Sequence, residues 1–269
     1  MSLPKSLVLT LAVAGYVGSA HAGLVVDGNL ADWGVNPGAS WTPRAGIHYT
    51  VEDQTGGAGT YLAPGYGGQA YDAEAMYATI ENGRLFIALA TGHNPLTVTN
   101  AAANTYGAGD FAIDFGKNGT YELGINFRNP ASSAAADTFG ILGGVYANPT
   151  WAYGLWSDSG SYKRAEHPTS LTAGTQIGSA LFAYTTVGQK GYGVYAQDAH
   201  YFYEMSLDLG LLRAAGWDGS AFNIEWTENC ANDSILVDPG NAVPEPGSMA
   251  LLGLGGLLLV CRGRRKASA

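Results

Sequence analysis

An all-β fold, a single antiparallel β-sandwich of the jelly-roll or immunoglobulin-like kind, is predicted for the body of this 269-residue chain by three observations. Glycine is abundant at 39 residues, the apolar runs are short and bounded by turn residues, and two Asn-Gly pairs each stand between strand-like runs. Helix-period stretches are scarce.

The chain opens with a segment of a different kind. Within residues 1–22, Lys5 precedes an apolar run from Leu7 to Val17, and Ala20-His21-Ala22 closes it with the small-x-small form that signal peptidase reads. An apolar run that short does not comfortably span roughly 30 Å of hydrocarbon, so a cleaved signal peptide is expected, with Gly23 as the mature N-terminus.

The body, residues 23–236, is expected to form one domain. Met76 to Ile80 and Arg84 to Thr91 flank Asn82-Gly83, and Asp110 to Phe115 and Thr120 to Phe127 flank Asn118-Gly119. Asn-Gly is the preferred type I′ turn because both central residues need positive φ, so each pair predicts a hairpin tip. In the first return strand Leu85, Ile87 and Leu89 take one face and Phe86, Ala88 and Ala90 the other, which predicts a central strand covered on both sides. In the second hairpin Asp110 and Asp114 share a face about 13 Å apart, too far for shared chemistry. Further strands are expected at Phe182 to Thr186, Gly193 to Tyr195, Tyr201 to Leu207 and Ala221 to Thr227, with a helical turn at Gly210 to Gly216. Gly56 to Gly68 and Ala131 to Ala136 read as long loops, and residues 237–243 as a linker.

Residues 244–269 follow a fixed order: Val243 leads into Pro244-Glu245-Pro246-Gly247, then an apolar run predicts a short transmembrane helix over 248–261, then Arg262, Arg264, Arg265 and Lys266 fill a basic tail, 262–269. A basic cluster directly after an apolar helix stays cytoplasmic, so the body faces outward. This arrangement resembles the PEP-CTERM sorting signal of exported proteins from Gram-negative bacteria that make exopolysaccharide. The resemblance implies an inner-membrane protein until an exosortase recognises Pro244, Glu245 and Pro246 and releases or transfers it to the cell surface or extracellular matrix.

Residues 23–243 hold 8 Lys+Arg against 21 Asp+Glu, a net −13. Such a surface repels nucleic acid and anionic lipid. Cys230 is the body's lone cysteine, so no disulfide forms within the mature domain, and a small buried side chain is its favoured reading. No nucleophile elbow, His-Glu-x-x-His, phosphate loop or dinucleotide fingerprint is present, and His48, His93, His167 and His200 are isolated from one another. A non-enzyme is expected; a glycosidase carboxylate pair is the distant alternative.

Three stretches of the body carry a second resemblance: Val25-Val26-Asp27-Gly28-Asn29-Leu30-Ala31-Asp32-Trp33, the pair Ala75 to Ala78 with Leu85 to Ala88, and His200 to Leu207. In this order they are similar to family 9 carbohydrate-binding modules and DOMON-like β-sandwiches, which implies a non-catalytic module for extracellular polysaccharide. A structural matrix or surface-layer component without a specific ligand is the alternative.

Two further readings concern sites. Glu204 among Tyr201, Phe202, Tyr203 and Met205 is a carboxylate in an apolar strand, which wants a cation or a donor. With Asp233 it is a candidate for a structural calcium ion, no other cofactor being expected. Asn223 to Ser234 resembles the Trp-Thr-x-x-Cys-Gly-Asn-Asp element of one group of PEP-CTERM proteins, with Ala231 in place of glycine. For a glycan the useful residues are flat rings, since sugar C–H faces pack on aromatic planes. Trp151, Tyr153 and Trp156 form the best local cluster, as a ligand platform or as a core strand; Tyr61, Tyr66 and Tyr71 are a weaker one.

Overall fold

The structure, a computed structural model, describes residues 23–53, 67–127, 139–160 and 162–239. The signal peptide, the tail from Asn241 onward and the loop tyrosines Tyr61 and Tyr66 lie outside the described residues. Among the described residues no helix is long and apolar enough to cross a membrane.

Eleven strands form two antiparallel sheets among these residues. A five-stranded sheet runs β1 (His48–Val51), β2 (Ala73–Glu81), β3 (Arg84–Thr91), β9 (Tyr201–Asp208), β8 (Leu181–Tyr184). A six-stranded sheet runs β11 (Ser234–Val237), β10 (Phe222–Thr227), β4 (Phe111–Phe115), β5 (Leu123–Ile125), β6 (Gly144–Tyr153), β7 (Pro168–Ser179). The expected β-sandwich is thus present, and one short helix, α1 (Leu209–Ala214), caps the end of β9. Asp208 starts that helix by accepting the Gly210 backbone N–H.

Two apolar clusters explain the strand sequences. One joins Met76, Ile87, Leu89 and Met205 to Phe111, Ile113, Ile224 and Trp226, side chains of both sheets, and is the sandwich core. The other lies on the opposite face of the five-stranded sheet, where Leu30, Trp33, Val35, Trp41 and Ile47 of the N-terminal segment cover Tyr77, Phe86, Ala88, Ala90 and Phe202. In β3 the alternate residues Leu85, Ile87 and Leu89 enter the first cluster and Phe86, Ala88 and Ala90 the second. A strand buried on both faces has no polar side, which is why its sequence does not alternate in polarity.

The two Asn-Gly pairs differ. Asn82 (φ 50°) and Gly83 (φ 74°) sit alone between β2 and β3, with Glu81 paired to Arg84, as a type I′ turn requires. Asn118-Gly119 lies in the connection between β4 and β5, but that connection is longer: register runs only from Phe111↔Ile125 to Ile113↔Leu123, and Gly116, Lys117 and Gly119, not Asn118, take positive φ. The loop is wrapped around Asp114, whose carboxylate accepts the Asn118 and Gly119 N–H groups at 2.9 and 2.7 Å.

Two boundaries are corrected. Gly193 to Tyr195 is not a strand, because Gly191 and Gly193 take positive φ (93° and 60°) and bend the segment, bringing the Val194 N–H to Asp53 at 2.7 Å. Val237, assigned to the linker, is the last residue of β11 and is buried in the core. The strands β1, β6, β7 and β11 complete the sheets; β6 tolerates Pro149 because its pairing with β7 is broken by register shifts around Ala147 to Trp151.

Candidate functional site

Glu204 projects from β9 between two alanine neighbours, Ala88 on β3 and Ala183 on β8, which leave room for a long side chain. Its carboxylate meets the N-terminal turn. Oε2 accepts the backbone N–H groups of Asp27, Gly28 and Asn29 at 3.1, 2.5 and 3.0 Å, and Oε1 accepts the Trp33 indole N–H at 2.6 Å. Gly28 adopts φ 83°, a conformation that costs glycine little, and this turns the successive N–H groups onto one oxygen. Burial pushes the carboxyl up to about 7, against the pull of the four donors.

Asp233 has different partners. It accepts the Ala73 N–H at 2.9 Å, which ties β2 to the turn after β10, and the Ser234 N–H at 2.9 Å. Glu204 thus holds the N-terminal turn whereas Asp233 holds Ala73 and Ser234, and the four N–H donors on Glu204 take the lone pairs a calcium ion would use. This donor set does not suit calcium. Among the described residues no group of three or more His, Cys, Asp or Glu is arranged to hold a metal ion.

Beside Asp233 lies a buried polar cluster. Glu74 and His200 meet at 2.8 Å, and the Gln69 amide N–H₂ donates to Glu74 at 2.7 Å. His93 Nε2 stands 3.2 Å from Glu228 and 2.8 Å from the Tyr106 carbonyl. Burial lowers His93 to about 4, so its imidazole is neutral near pH 7, while burial and the nearby Asp233 charge hold Glu228 well above the ordinary carboxylate range. Cys230 is free and fully buried, 3.7 Å from Glu228, and burial pushes its thiol well up. It is an inert structural side chain.

Ala231 follows with φ 59°, the left-handed region that glycine enters freely. It stands where the resembling sequence element has glycine, and the backbone still makes that turn. Gly154 packs against it: a Cβ there would lie 2.2 Å from the Ala231 Cβ.

On the outer face of the six-stranded sheet a cleft of about 370 Å³ gathers Glu52, Asp114, Tyr121, Glu166, His167 and Glu225. Glu225, almost fully buried, is saturated: His167 and Thr227 hydrogen bond to Oε1 at 3.0 and 3.2 Å, and the Tyr121 hydroxyl donates to Oε2. The residues fasten the 164–167 segment to the sheet.

The tryptophans of the expected platform separate. Trp151 and Tyr153 both lie in β6, and the Trp151 ring stands edge-on to Tyr121, centroids 6.3 Å apart. The Tyr153 carbonyl accepts the Arg164 guanidinium at 3.3 Å. Trp156, beyond Gly154, instead lines a cleft of about 240 Å³ with Tyr71, Tyr106, Leu155, Asn104 and Asn232. A neighbouring cleft of about 300 Å³ is lined by Gln69, Tyr71, His93, Asn94, Thr97 and Tyr201, among others. Asn104 and Tyr106 come from the connection between β3 and β4 and Asn232 from the turn between β10 and β11, more than a hundred residues away in the chain.

Comparison with known proteins bears on the tail. The PEP-CTERM protein-sorting motif matches residues 242–266, spanning Pro244-Glu245-Pro246, the apolar run and the basic cluster. The comparisons with curated proteins and with solved structures give no match. None of these comparisons supports the likeness of the body to family 9 carbohydrate-binding modules. Residues 242–266 are a PEP-CTERM sorting motif, the mark of an exported protein that is held transiently in the membrane and processed by an exosortase.

Proposed function

We propose that this protein, once its leader is removed after Ala22 and an exosortase has acted near Pro246, is a non-catalytic β-sandwich at the cell surface or in the extracellular matrix that binds polysaccharide. The observation that carries the binding reading is the cleft in which the half-buried rings of Trp156, Tyr71 and Tyr106 stand beside the side-chain amides of Asn104 and Asn232. Aromatic planes take the C–H faces of a sugar, and amides bond its hydroxyls in pairs, donor and acceptor.

The test is electrophoresis of the body, residues 23–239, through gels containing the producer's own exopolysaccharide. Retardation of the parent, lost in Trp156→Ala and kept in Trp151→Ala, supports the reading. Equal retardation of the parent and Trp156→Ala, or none for the parent, refutes it.

A further inference from the structure

The two aromatic clefts share a wall. Tyr71 lines both, with Trp156 and Tyr106 on one side of it and Tyr201 on the other. Each cleft alone sits at or below the lower end of small-molecule sites, roughly 300 Å³, while the pair together falls within that range. Each also carries its own side-chain amides: Asn104 and Asn232 in one, Gln69 and Asn94 in the other. Resting on the binding reading above, we infer that the two clefts are adjacent subsites of one groove, which takes an internal stretch of a neutral, hydroxyl-rich polysaccharide at least two sugars long.

Three features support this. The shared ring is held in place: Tyr71 stands edge-on to His93, centroids 6.3 Å apart, and its hydroxyl reaches the Asn104 carbonyl at 3.4 Å. His93 is itself fixed by the Tyr106 carbonyl at 2.8 Å. A wall already ordered before binding loses little conformational entropy when the ligand arrives.

The lining chemistry is also uncharged. Among the described residues neither cleft presents Asp, Glu, Lys or Arg, and His93 is neutral through burial. A uronate chain would find no cation there and would approach a body of net −13; an amine-bearing chain would find no carboxylate in the groove. Gln69 is oriented by donating to Glu74 at 2.7 Å and to the Ala199 carbonyl at 3.3 Å, and its Oε1 has no hydrogen-bond partner among the described residues.

Calorimetry with a ladder of neutral oligosaccharides, one to six sugars long, prepared from the exopolysaccharide that retards the protein, tests the groove. Affinity should rise at least 10-fold from one sugar to three or four and then level off. Tyr201→Ala should lower affinity for the long oligomers about 10-fold and reduce the gain in affinity from one sugar to three or four. Tyr71→Ala should abolish the length dependence, with Tyr71→Phe, which keeps the ring, retaining it; an unchanged urea midpoint establishes that each variant folds. Gel retardation without length dependence overturns the groove and leaves the binding function standing, whereas no retardation by any polysaccharide overturns both. Tighter binding of alginate or chitosan than of the neutral ladder overturns the assigned ligand class.

Discussion

Trp33 donates its indole N–H to Glu204 over 2.6 Å, joining residues 171 positions apart and fastening the N-terminal layer to β9, an inner strand of the five-stranded sheet. Three backbone N–H groups from the same layer converge on the other carboxylate oxygen. Buried acceptors of this kind are costly to leave unmade.

Trp33→Phe should therefore lower stability by about 2 kcal/mol, since it keeps most of the ring and removes one charge-assisted bond. Glu204→Gln should cost more, about 3 kcal/mol, because the amide turns either an N–H₂ group toward N–H donors or its oxygen away from the indole. Urea unfolding at constant slope measures both. Limited proteolysis should cut the 23–47 segment faster in either variant while leaving the sheets protected, and an unchanged digestion pattern would show that this contact does not hold the layer.

Stability should fall as pH rises above neutrality. Glu52 is pushed from 4.5 to about 8, by burial first and by the Asp233 charge second, so the folded chain binds its proton more tightly than the unfolded one. The contribution is complete below about 4.5 and is lost as pH climbs to 8; Glu204, at about 7, has the same sign. His93, lowered to about 4 by burial, acts oppositely and destabilises the fold as pH drops from 6.5 toward 4. Between pH 6.5 and 8 the Glu52 contribution amounts to about 2 kcal/mol. Glu52→Gln, measured by urea midpoints across that window, should flatten the decline; parallel curves for parent and variant would place its titration elsewhere.

Ala231 offers a stabilising change. Its φ of 59° strains an L residue, so Ala231→Gly should raise stability by about 0.5–1 kcal/mol, the strain relief exceeding the added freedom of the unfolded chain. Its neighbour predicts the reverse: Gly154→Ala places a Cβ 2.2 Å from the Ala231 Cβ and 2.7 Å from the Cys230 carbonyl, and should cost about 2 kcal/mol or more. Thermal unfolding of the two single variants should move in opposite directions.

Processing should depend on Glu245, the sole charge of the Pro244-Glu245-Pro246 element. In an exosortase-containing host, Glu245→Ala should accumulate at full tail length in the membrane fraction, while the parent is released without Cys261 and begins at Gly23. Fractionation followed by mass spectrometry distinguishes the two. Equal release and shortening of the variant would remove the sorting role from this residue.

Much of the local structure was legible because it depends on neighbours in the chain. The Asn82-Gly83 turn follows from two residues that accept positive φ, and the central position of β3 from an apolar run with no polar face. The strand pattern failed at Gly193 to Tyr195, where glycine conformation outweighed the residues' strand-like character; Asn118-Gly119 does lie at the tip joining β4 to β5, but Asp114 collects the loop's N–H groups into a turn wider than type I′. The PEP-CTERM motif was readable because an ordered linear motif is what the sorting machinery meets.

The sequence by itself determined the β class, the paired hairpin of β2 and β3, the buried free Cys230 and the export-and-sorting tail, all properties of contiguous residues or of composition. Only the tertiary structure decided that Glu204 is held by Asp27, Gly28, Asn29 and Trp33, that Trp151 and Trp156 face different rings, and that Trp156 meets Tyr71, Tyr106, Asn104 and Asn232. Those groupings join residues far apart in the chain, and their distances are set by how two sheets and an N-terminal layer stack, which no spacing along the chain encodes.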